Sequence, residues 1–300
     1  MSVELLSAEE IRQAVASALA EDIGSGDVTS QATVPANATF TVVMRAREPL
    51  VVVGLAFAEA AFRKLSPSVR IKWLARDGQR VKAGARLMQI AGPARAILSA
   101  ERVALNFVQR LSGVATLTAH YVAAVNGTRA QILDTRKTTP GWRSFEKYAV
   151  ARGGGRNHRF GLYDLVLIKD NHLAALRDAK PNAVAAAIRR ARKKFPRLQI
   201  EVEADTLAQV VQAVEAGAAI ILLDNLTAAQ LRRAVQLVAG RARTEASGGV
   251  SLKTVRRLAL TGVDFISVGA LTHSARAVDI GLDFEPEAAG SWAGPASKRA

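Results

Sequence analysis

The hydrophobic pattern differs between two regions of the chain. Between residues 39 and 97, short alternating runs of apolar and polar residues are separated by glycines and charges, which is typical of an antiparallel, β-rich fold. After residue 126, apolar runs of strand length alternate with amphipathic helical segments. Six strand–helix units in a row predict parallel strands with right-handed crossovers. Because these strands are apolar on both faces, we expect an α/β barrel.

Individual elements follow from the same pattern. Ser7 and Glu10 have the spacing of a capping box, and Ile11, Val15 and Leu19 form one apolar stripe, so an N-terminal helix is expected. Strands of the first region are predicted in TFTVVMRARE, LVVVGLAF, RIKWLARDGQRV and ARLMQIAGPARAIL. The barrel strands are predicted in QILD, DLVLIKD, QIEVEAD, AIILLDN, RTEASGG and DFISVGA. The helices between them are predicted at residues 183–194, 207–216, 228–239 and 251–260.

Composition narrows the classes of function. The chain has 41 Lys and Arg against 26 Asp and Glu, so its net charge of +15 predicts a polyanionic ligand or surface. No basic motif interleaved with aromatic residues occurs, which disfavours nucleic acid. Cysteine is absent, so disulfides, thiolate metal sites and cysteine nucleophiles are excluded. No apolar run is long enough for a bilayer and the first helix is not a signal or transit peptide, so we expect a cytoplasmic protein without membrane attachment.

Polar residues concentrate where the predicted barrel strands end. They are Asp134, Arg136, Lys137, Lys169, Asp170, Glu201, Glu203, Asp224, Asn225, Glu245, Ser247, Gly248, Gly249 and Gly269. The carboxyl ends of parallel barrel strands form one mouth, where loops vary without disturbing the core. The sequence therefore predicts one functional site at this mouth.

Cations gather on one side of this mouth. They are Arg136, Lys137, His158, Arg159 and Lys169. A guanidinium binds a carboxylate or phosphate in bidentate fashion, and Lys169, at the end of an apolar strand, would be costly there without an anionic partner. An anionic ligand is therefore predicted.

Arg102 belongs to a long helix that is predicted to start at Ser99 and to link the two regions. In the first turn of a helix, the dipole disfavours a cation unless a negative ligand offsets it. An arginine on an ordinary helix face is the alternative, and the pattern does not decide between them.

Carboxylates and glycines occupy the remaining strand ends. Glu203 and Asp224 are hard oxygen ligands suited to Mg²⁺ that also binds substrate phosphates, with pairing to arginines as the alternative. Glu201 shares their face by the two-residue period of a strand, so the pattern does not separate it from Glu203. The SGG and VGA strand ends predict a phosphate cradle. The GGGRNHRFG run lacks a dinucleotide fingerprint and is interpreted as a flexible loop that carries His158 and Arg159 into the mouth.

Several motifs together resemble the quinolinate phosphoribosyltransferase family. They are EDIGSGDVTS, ERVALNFVQRLSGVATLT, TRKTTPGWR, EKYAV, GGGRNHRFGLYD, IKDNH, LLDN, EASGGV and VGALTHS. The resemblance covers nearly the whole chain and ends at Phe284. It implies Mg²⁺-dependent transfer of phosphoribose from phosphoribosyl pyrophosphate to quinolinate with loss of CO₂, giving nicotinate mononucleotide, a step of de novo NAD biosynthesis.

The resemblance also implies an architecture and an assembly. A β-rich α/β sandwich domain is expected over residues 1–112, and an incomplete, open α/β barrel over residues 113–274. Residues 275–300 either pack back on the first domain or form a tail. A homodimer with shared active sites is implied, with a hexamer as the alternative.

Site residues are carried over by motif position. The quinolinate carboxylates would be bound by Arg136, His158, Arg159, Lys169 and the Arg102 of a neighbouring subunit. Thr135 and Lys137 belong to the same site, Lys137 near pyrophosphate or the departing carboxylate, and the catalytic group is Lys137, Lys169, Glu203 and Asp224. Glu203 would face ribose and metal, with Asp224 as its partner, directly or through water. The 5′-phosphate would lie on Ser247, Gly248, Gly249, Val268, Gly269 and Ala270.

Other functions are weighed against this one. A nicotinate phosphoribosyltransferase would need fewer cations because its acceptor has one carboxylate less. A catalytically silent relative that only binds anions is a second alternative. The basic stretch AIRRARKKFPR is interpreted as a solvated helix face.

Overall fold

The computed structural model describes residues 6–284, which divide into two compact units. The N-terminal unit comprises residues 6–113 together with residues 276–284, and the barrel unit comprises Val114–Ala275. The expectation for residues 285–300 lies outside the described part of the chain.

Helices and strands account for most of both units. The first are α1 (Ala8–Ile23), α2 (Val28–Thr33), β1 (Thr39–Ala46), β2 (Leu50–Val51), α3 (Leu55–Leu65), β3 (Arg70–Trp73), β4 (Arg80–Val81), β5 (Arg86–Pro93) and α4 (Ala94–Ala124). Next come β6 (Gln131–Leu133), α5 (Arg143–Arg152), β7 (Val166–Ile168), α6 (Asp170–Ala174), α7 (Ala183–Lys194), β8 (Ile200–Ala204) and α8 (Leu207–Glu215). The last are β9 (Ile220–Asp224), α9 (Ala228–Val238), β10 (Arg243–Ser247), α10 (Val255–Ala259), β11 (Phe265–Ser267), α11 (Ala270–His273) and β12 (Ile280–Phe284).

The N-terminal unit contains an antiparallel sheet in the order β12-β1-β5-β3 and a small sheet of β2 and β4. The capping box of α1 is confirmed, with Ser7 accepting from the Glu10 backbone and the Glu10 side chain accepting from the Ser7 backbone. The predicted strand LVVVGLAF is wrong beyond its first residues. Gly54, with φ +103°, ends the extended run, and α3 begins at the next residue.

The long helix α4 begins earlier than predicted, at Ala94 instead of Ser99. Arg102 is therefore the ninth residue of the helix and lies in its third turn, on the exposed side. The helix dipole acts mainly within the first turn, so the electrostatic argument for an anion at Arg102 is wrong.

The barrel unit is built on six parallel strands in the order β6-β11-β10-β9-β8-β7. The edges of this sheet are β6 and β7, so the barrel is open between its first two strands, and the predicted fold class is confirmed. The backbone at Arg156 bonds to β6 on its outer edge, donating to Ile132 and accepting from Asp134. The segment after α5 therefore covers the edge strand at which the sheet is open.

Candidate active site

The predicted site residues of the barrel unit lie at the carboxyl ends of its strands. Thr135, Arg136 and Lys137 follow β6, Lys169 follows β7, Glu203 lies in β8, Asp224 ends β9, Ser247, Gly248 and Gly249 close β10, and Val268, Gly269 and Ala270 follow β11. His158 and Arg159 come from the segment between α5 and β7, and Arg102 is part of the N-terminal unit. Because the six strands are parallel, their carboxyl ends share one edge of the sheet.

The segment that carries His158 and Arg159 is anchored by a buried ion pair. Lys147 on α5 donates to Asp134, and their side chains are 4 % and 0 % exposed. Asn157 donates to Asp134 Oδ2 at 2.6 Å, and the backbone N–H of His158 donates to Asp134 Oδ1 at 2.8 Å. Burial raises the pKa of Asp134 and lowers the pKa of Lys147, while their attraction opposes both shifts. Loss of either partner would leave an uncompensated buried charge, so both residues, whose pairing the sequence pattern does not reveal, fix this segment.

The glycines before this segment pack closely, and the expectation of a flexible loop is wrong for them. A Cβ on Gly153 would lie 2.4 Å from the carbonyl oxygen of Ala115. A Cβ on Gly155 would lie 2.8 Å from Cγ2 of Thr118. The absence of side chains lets the backbone approach α4, which sets where the segment enters the site.

Arg136 and Arg159 bring two guanidinium groups together. Arg159 is 7 % exposed, and burial together with the charge of Arg136 lowers its pKa, with Glu201 opposing the shift. The buried Nε of Arg136 has no hydrogen-bond partner among the described residues. An anion between these groups would offset their repulsion and accept from the unused donor. The structure thus brings together two of the cations that the sequence predicts for an anion site.

His158 lies against two buried carboxylates. Its Nε2 is 3.0 Å from Oε2 of Glu201 and 3.5 Å from Oε2 of Glu245, and these side chains are 0 % and 1 % exposed. None of the four carboxylate oxygens accepts an aligned hydrogen bond within the described part of the chain, so the contact is mainly electrostatic. Burial opposes a charge on His158, but the two carboxylates outweigh it and raise its pKa to about 10. Burial and the charge of Glu245 raise the pKa of Glu201.

The other ring nitrogen of His158 has a partner as well. Nδ1 accepts the backbone N–H of Arg159 at 2.7 Å. An accepting nitrogen carries no proton, so the ring proton lies on Nε2 and faces the carboxylates. A second ring proton, on Nδ1, would break the bond to Arg159. The sequence names Glu245 as a strand-end residue but contains no signal that joins it to His158.

Glu203 and Asp224 form the acidic side of the site. Both are half-buried, and burial is the largest cause that raises the pKa of Glu203. Lys169 opposes this shift, while the charges of Asp224, Asp170 and Asp205 add to it. Nζ of Lys169 lies 4.0 Å from Oε2 of Glu203, and the lysine side chain is 47 % exposed. Water therefore solvates Lys169, and the argument that its position requires an anionic ligand is wrong.

The acidic side chains fit a hard divalent cation. Neither Glu203 nor Asp224 forms an ion pair with an arginine in residues 6–284, so pairing with arginines, the alternative for these carboxylates, finds no support there. A cation would relieve the repulsion between them, and carboxylate oxygens are the donors that Mg²⁺ prefers.

Left-handed backbone follows β9 and β10. Asn225 has φ +53° and donates from Nδ2 to Oδ2 of Asp224 at 2.7 Å. Gly248 and Gly249 have φ +99° and +57°. A Cβ on Gly248 would lie 2.1 Å from Oδ1 of Asn225, whereas nothing lies within 4 Å of a Cβ on Gly249. Gly248 therefore lets two loops pack, and Gly249 leaves open space beside its backbone.

Lys137 is fixed beside the turn that follows β11. Oγ1 of Thr272 donates to the backbone carbonyl of Lys137 at 2.7 Å. A Cβ on Gly269 would lie 3.1 Å from Cδ of Lys137. The structure thus brings the exposed Lys137 to one of the two predicted phosphate turns.

Comparisons with known proteins agree with this architecture. Residues 27–112 match the quinolinate phosphoribosyl transferase N-terminal domain, and residues 114–283 match the C-terminal domain of the same family. The nicotinate-nucleotide pyrophosphorylase [carboxylating] of Mycobacterium leprae is 45% identical over 278 residues, which are 91% of this chain and 96% of that protein. The nicotinate-nucleotide pyrophosphorylase structure from Francisella tularensis superposes with a TM-score of 0.89 at 38% identity, covering 95% of this chain and 99% of the other.

A solved structure of low sequence identity shares the fold. Human nicotinic acid phosphoribosyltransferase has a TM-score of 0.58 at 13% identity, over 93% of this chain and 74% of that one. The fold is therefore shared with a protein named for the alternative acceptor and does not separate the two. Across residues 6–284, no helix has the length and apolarity needed to cross a membrane. The two domain matches and the high identity over most of the chain show that it belongs to the quinolinate phosphoribosyltransferase family.

Proposed function

We propose that this chain transfers the phosphoribosyl group of phosphoribosyl pyrophosphate to quinolinate, releasing pyrophosphate and CO₂ and giving nicotinate mononucleotide. The observation that carries the proposal is the pair Arg136 and Arg159, at the edge of the sheet that also holds Glu203 and Asp224. The cationic side suits an acceptor with two carboxylates, and the acidic side suits a metal with a polyphosphate.

The acceptor side favours quinolinate over nicotinate. Arg136 and Arg159 supply two neighbouring forks, and Lys169 adds a third cation that already has Glu203 within 4.0 Å. One carboxylate would leave a guanidinium without a counter-ion in a half-buried site, which is costly. His158, which the resemblance places in the same group, has both ring nitrogens facing groups of the chain itself.

The reaction needs charge stabilisation more than proton transfer. The ring nitrogen of the acceptor forms a bond to the anomeric carbon of ribose while the bond to the pyrophosphate oxygen breaks. Glu203 and Asp224 would stabilise the positive charge that develops on ribose, and Lys137 would offset the charge of the leaving pyrophosphate. CO₂ then leaves its electron pair on the ring carbon beside the positively charged nitrogen, and a proton from water replaces it. The arginines contribute by orienting the acceptor.

Mg²⁺ is part of the proposal, and Glu203 and Asp224 are the residues that would hold it, directly or through water. When bound, the ion neutralises pyrophosphate charge and orients the leaving group. Replacing either residue by Ala should lower kcat/KM by about 10²-fold or more, roughly 2.7 kcal/mol of transition-state stabilisation. Glu215→Ala, an exposed carboxylate of the same unit, is the control. Full activity in excess chelator would contradict the metal assignment.

The 5′-phosphate is assigned to two turns. These are Ser247 to Gly249 after β10 and Val268 to Ala270 after β11. The open space beside Gly249 supports this assignment, since a phosphate needs close approach to backbone N–H groups. Thr135, which accepts from the backbone N–H of Lys137 at 3.0 Å, shapes the neighbouring loop.

We also propose a homodimer with shared sites, in which Arg102 of one subunit completes the acceptor site of the other. Support comes from Leu162 and Tyr163, which are 73% and 71% exposed and lie shortly after Arg159 in the chain. Large apolar side chains at such exposure are typical of surfaces that contact another chain. A cytoplasmic location stays a prediction.

The decisive experiment supplies phosphoribosyl pyrophosphate and Mg²⁺ with either quinolinate or nicotinate. Quinolinate labelled in the carboxyl group next to the ring nitrogen should release labelled CO₂ in a one-to-one ratio with mononucleotide. Equal conversion of nicotinate would contradict the dicarboxylate assignment. Binding of both substrates without turnover would indicate a silent relative.

A further inference from the structure

A buried group in the barrel unit has no part in the reaction as proposed. It consists of His158, Glu201 and Glu245, which we call the buried triad. The two glutamates are on β8 and β10, separated in the sheet by β9, and both face the His158 Nε2. Two carboxylates at 0 % and 1 % exposure, without aligned hydrogen bonds from the described residues, are costly to bury. Because burying these charges costs free energy of folding, we expect the two glutamates to have a function.

The triad has the residue types of a metal site, but the His158 nitrogen that would bind the metal carries a proton. The candidate ligand atoms of His158, Glu201 and Glu245 lie within 4.8 Å of one another. A histidine coordinates through a nitrogen that carries no proton. Here Nδ1 accepts the N–H of Arg159 at 2.7 Å, so the proton lies on Nε2, the nitrogen that faces the carboxylates. The geometry therefore favours an internal contact over metal binding.

Both ring nitrogens already face groups of the chain itself. Nε2 faces Glu201 and Glu245, and Nδ1 faces the backbone of Arg159. A substrate carboxylate could be bound by the ring only after one of these contacts breaks. The His158 ring instead contacts Glu201 on β8 and Glu245 on β10 on one side and the backbone of Arg159 on the other. The guanidinium of Arg159 belongs to the acceptor site.

We propose that Glu201 and Glu245 are positioning residues, which act through the His158 ring to set where Arg159 presents its guanidinium, and that His158 does not itself contact the acceptor. This inference rests on the proposed function because it takes the acceptor site as given. The buried pair of Lys147 and Asp134 fixes the same segment from α5 and β6. The segment that carries His158 and Arg159 thus contacts Asp134 and Lys147 on one side and the two glutamates on the other.

Glu245 offers the cleaner test of the two glutamates. The charge of Glu201 acts on Arg159 directly as well as through His158, and Glu201 lies two residues from Glu203. Glu245→Gln keeps the shape of the side chain and removes its charge. We expect KM for quinolinate to rise about 10-fold or more, as small misplacements of a binding group do, while KM for phosphoribosyl pyrophosphate and kcat change little. Glu215→Gln is the matched control on the exposed surface.

A double-mutant cycle separates positioning from direct contact. His158→Asn removes the nitrogen that faces the carboxylates. If His158 acts only through the triad, adding Glu245→Gln to His158→Asn should cause little further loss. If His158 binds the acceptor, the two losses should multiply. His158→Gln, which places an N–H near the Nε2 position, should recover part of the lost affinity in the presence of Glu245 and less in its absence.

The readouts also separate this inference from the proposed function. Quinolinate affinity is measured by calorimetry as well as by turnover, and circular dichroism verifies that each variant is folded. A wild-type protein that neither binds nor converts quinolinate would overturn both proposals. Normal quinolinate binding in folded Glu245→Gln, or multiplying losses in the cycle, would overturn the positioning role alone.

Discussion

Replacing Gly248 by alanine tests the packing of the turn after β10. An alanine at φ +99° is strained by about 1–2 kcal/mol. Its Cβ would also lie 2.1 Å from Oδ1 and 2.7 Å from Cγ of Asn225. Asn225 must then move and lose its 2.7 Å hydrogen bond to the carboxylate of Asp224. A hydrogen bond to a charged group is worth about 1.5–3 kcal/mol, which adds to the strain.

Gly249→Ala is the matched control. Its backbone is also left-handed, at φ +57°, but nothing lies within 4 Å of the added Cβ. This variant therefore costs backbone strain alone. The difference between the two variants isolates the contact with Asn225 and should amount to about 1.5–3 kcal/mol in the free energy of unfolding.

The assay compares kcat/KM for each substrate at saturating levels of the other, together with urea unfolding. Because Asn225 bonds to Asp224 on the acidic side of the site, the loss is expected in the value for phosphoribosyl pyrophosphate. In Asn225→Gly/Gly248→Ala the atoms that the Cβ meets most closely are gone, so the double variant should lose little more than Asn225→Gly. Equal losses in Gly248→Ala and Gly249→Ala would refute the steric reasoning.

Three further predictions concern the acceptor, the assembly and the pH dependence of stability. Arg159→Lys should raise KM for quinolinate by about 10-fold or more because an ammonium cannot replace a bidentate fork; an unchanged KM would contradict the assigned contact. Mixing inactive Arg102→Ala with inactive Lys169→Ala should restore activity once subunits exchange, since a mixed dimer keeps one intact site; exchange without activity would contradict shared sites. Glu48 accepts two bonds from Arg276, which together with the backbone N–H of Asp279 lowers its pKa to about 2. Glu48→Gln should lower the free energy of unfolding at pH 7 by about 1 kcal/mol, a loss fully present above pH 4.5 and vanishing as the pH falls towards about 2, measured by urea unfolding.

Apolar runs locate most of the barrel strands. A strand covered on both faces is apolar at most positions, so β6, β7, β9 and β11 stand out in the sequence, whereas β10, with the sequence RTEAS, does not. The boundary between β2 and α3 cannot be read from the sequence, because a short apolar run fits either a strand or a buried helix. The start of α4 at Ala94 directly follows Pro93, a start signal that the sequence contains but that the predicted start at Ser99 passes over.

The sequence by itself determined that the charged residues stand at strand ends and share one mouth, because parallel strands end at the same edge of a sheet. It did not determine their partners. Glu201 and Glu203 share a face by the two-residue period, yet Glu201 is wholly buried beside His158 while Glu203 is half-buried near Asp224. Depth below the mouth depends on how distant strands and the segment after α5 pack together. Periodicity along one strand contains no such information, and therefore only the tertiary structure separated the two glutamates.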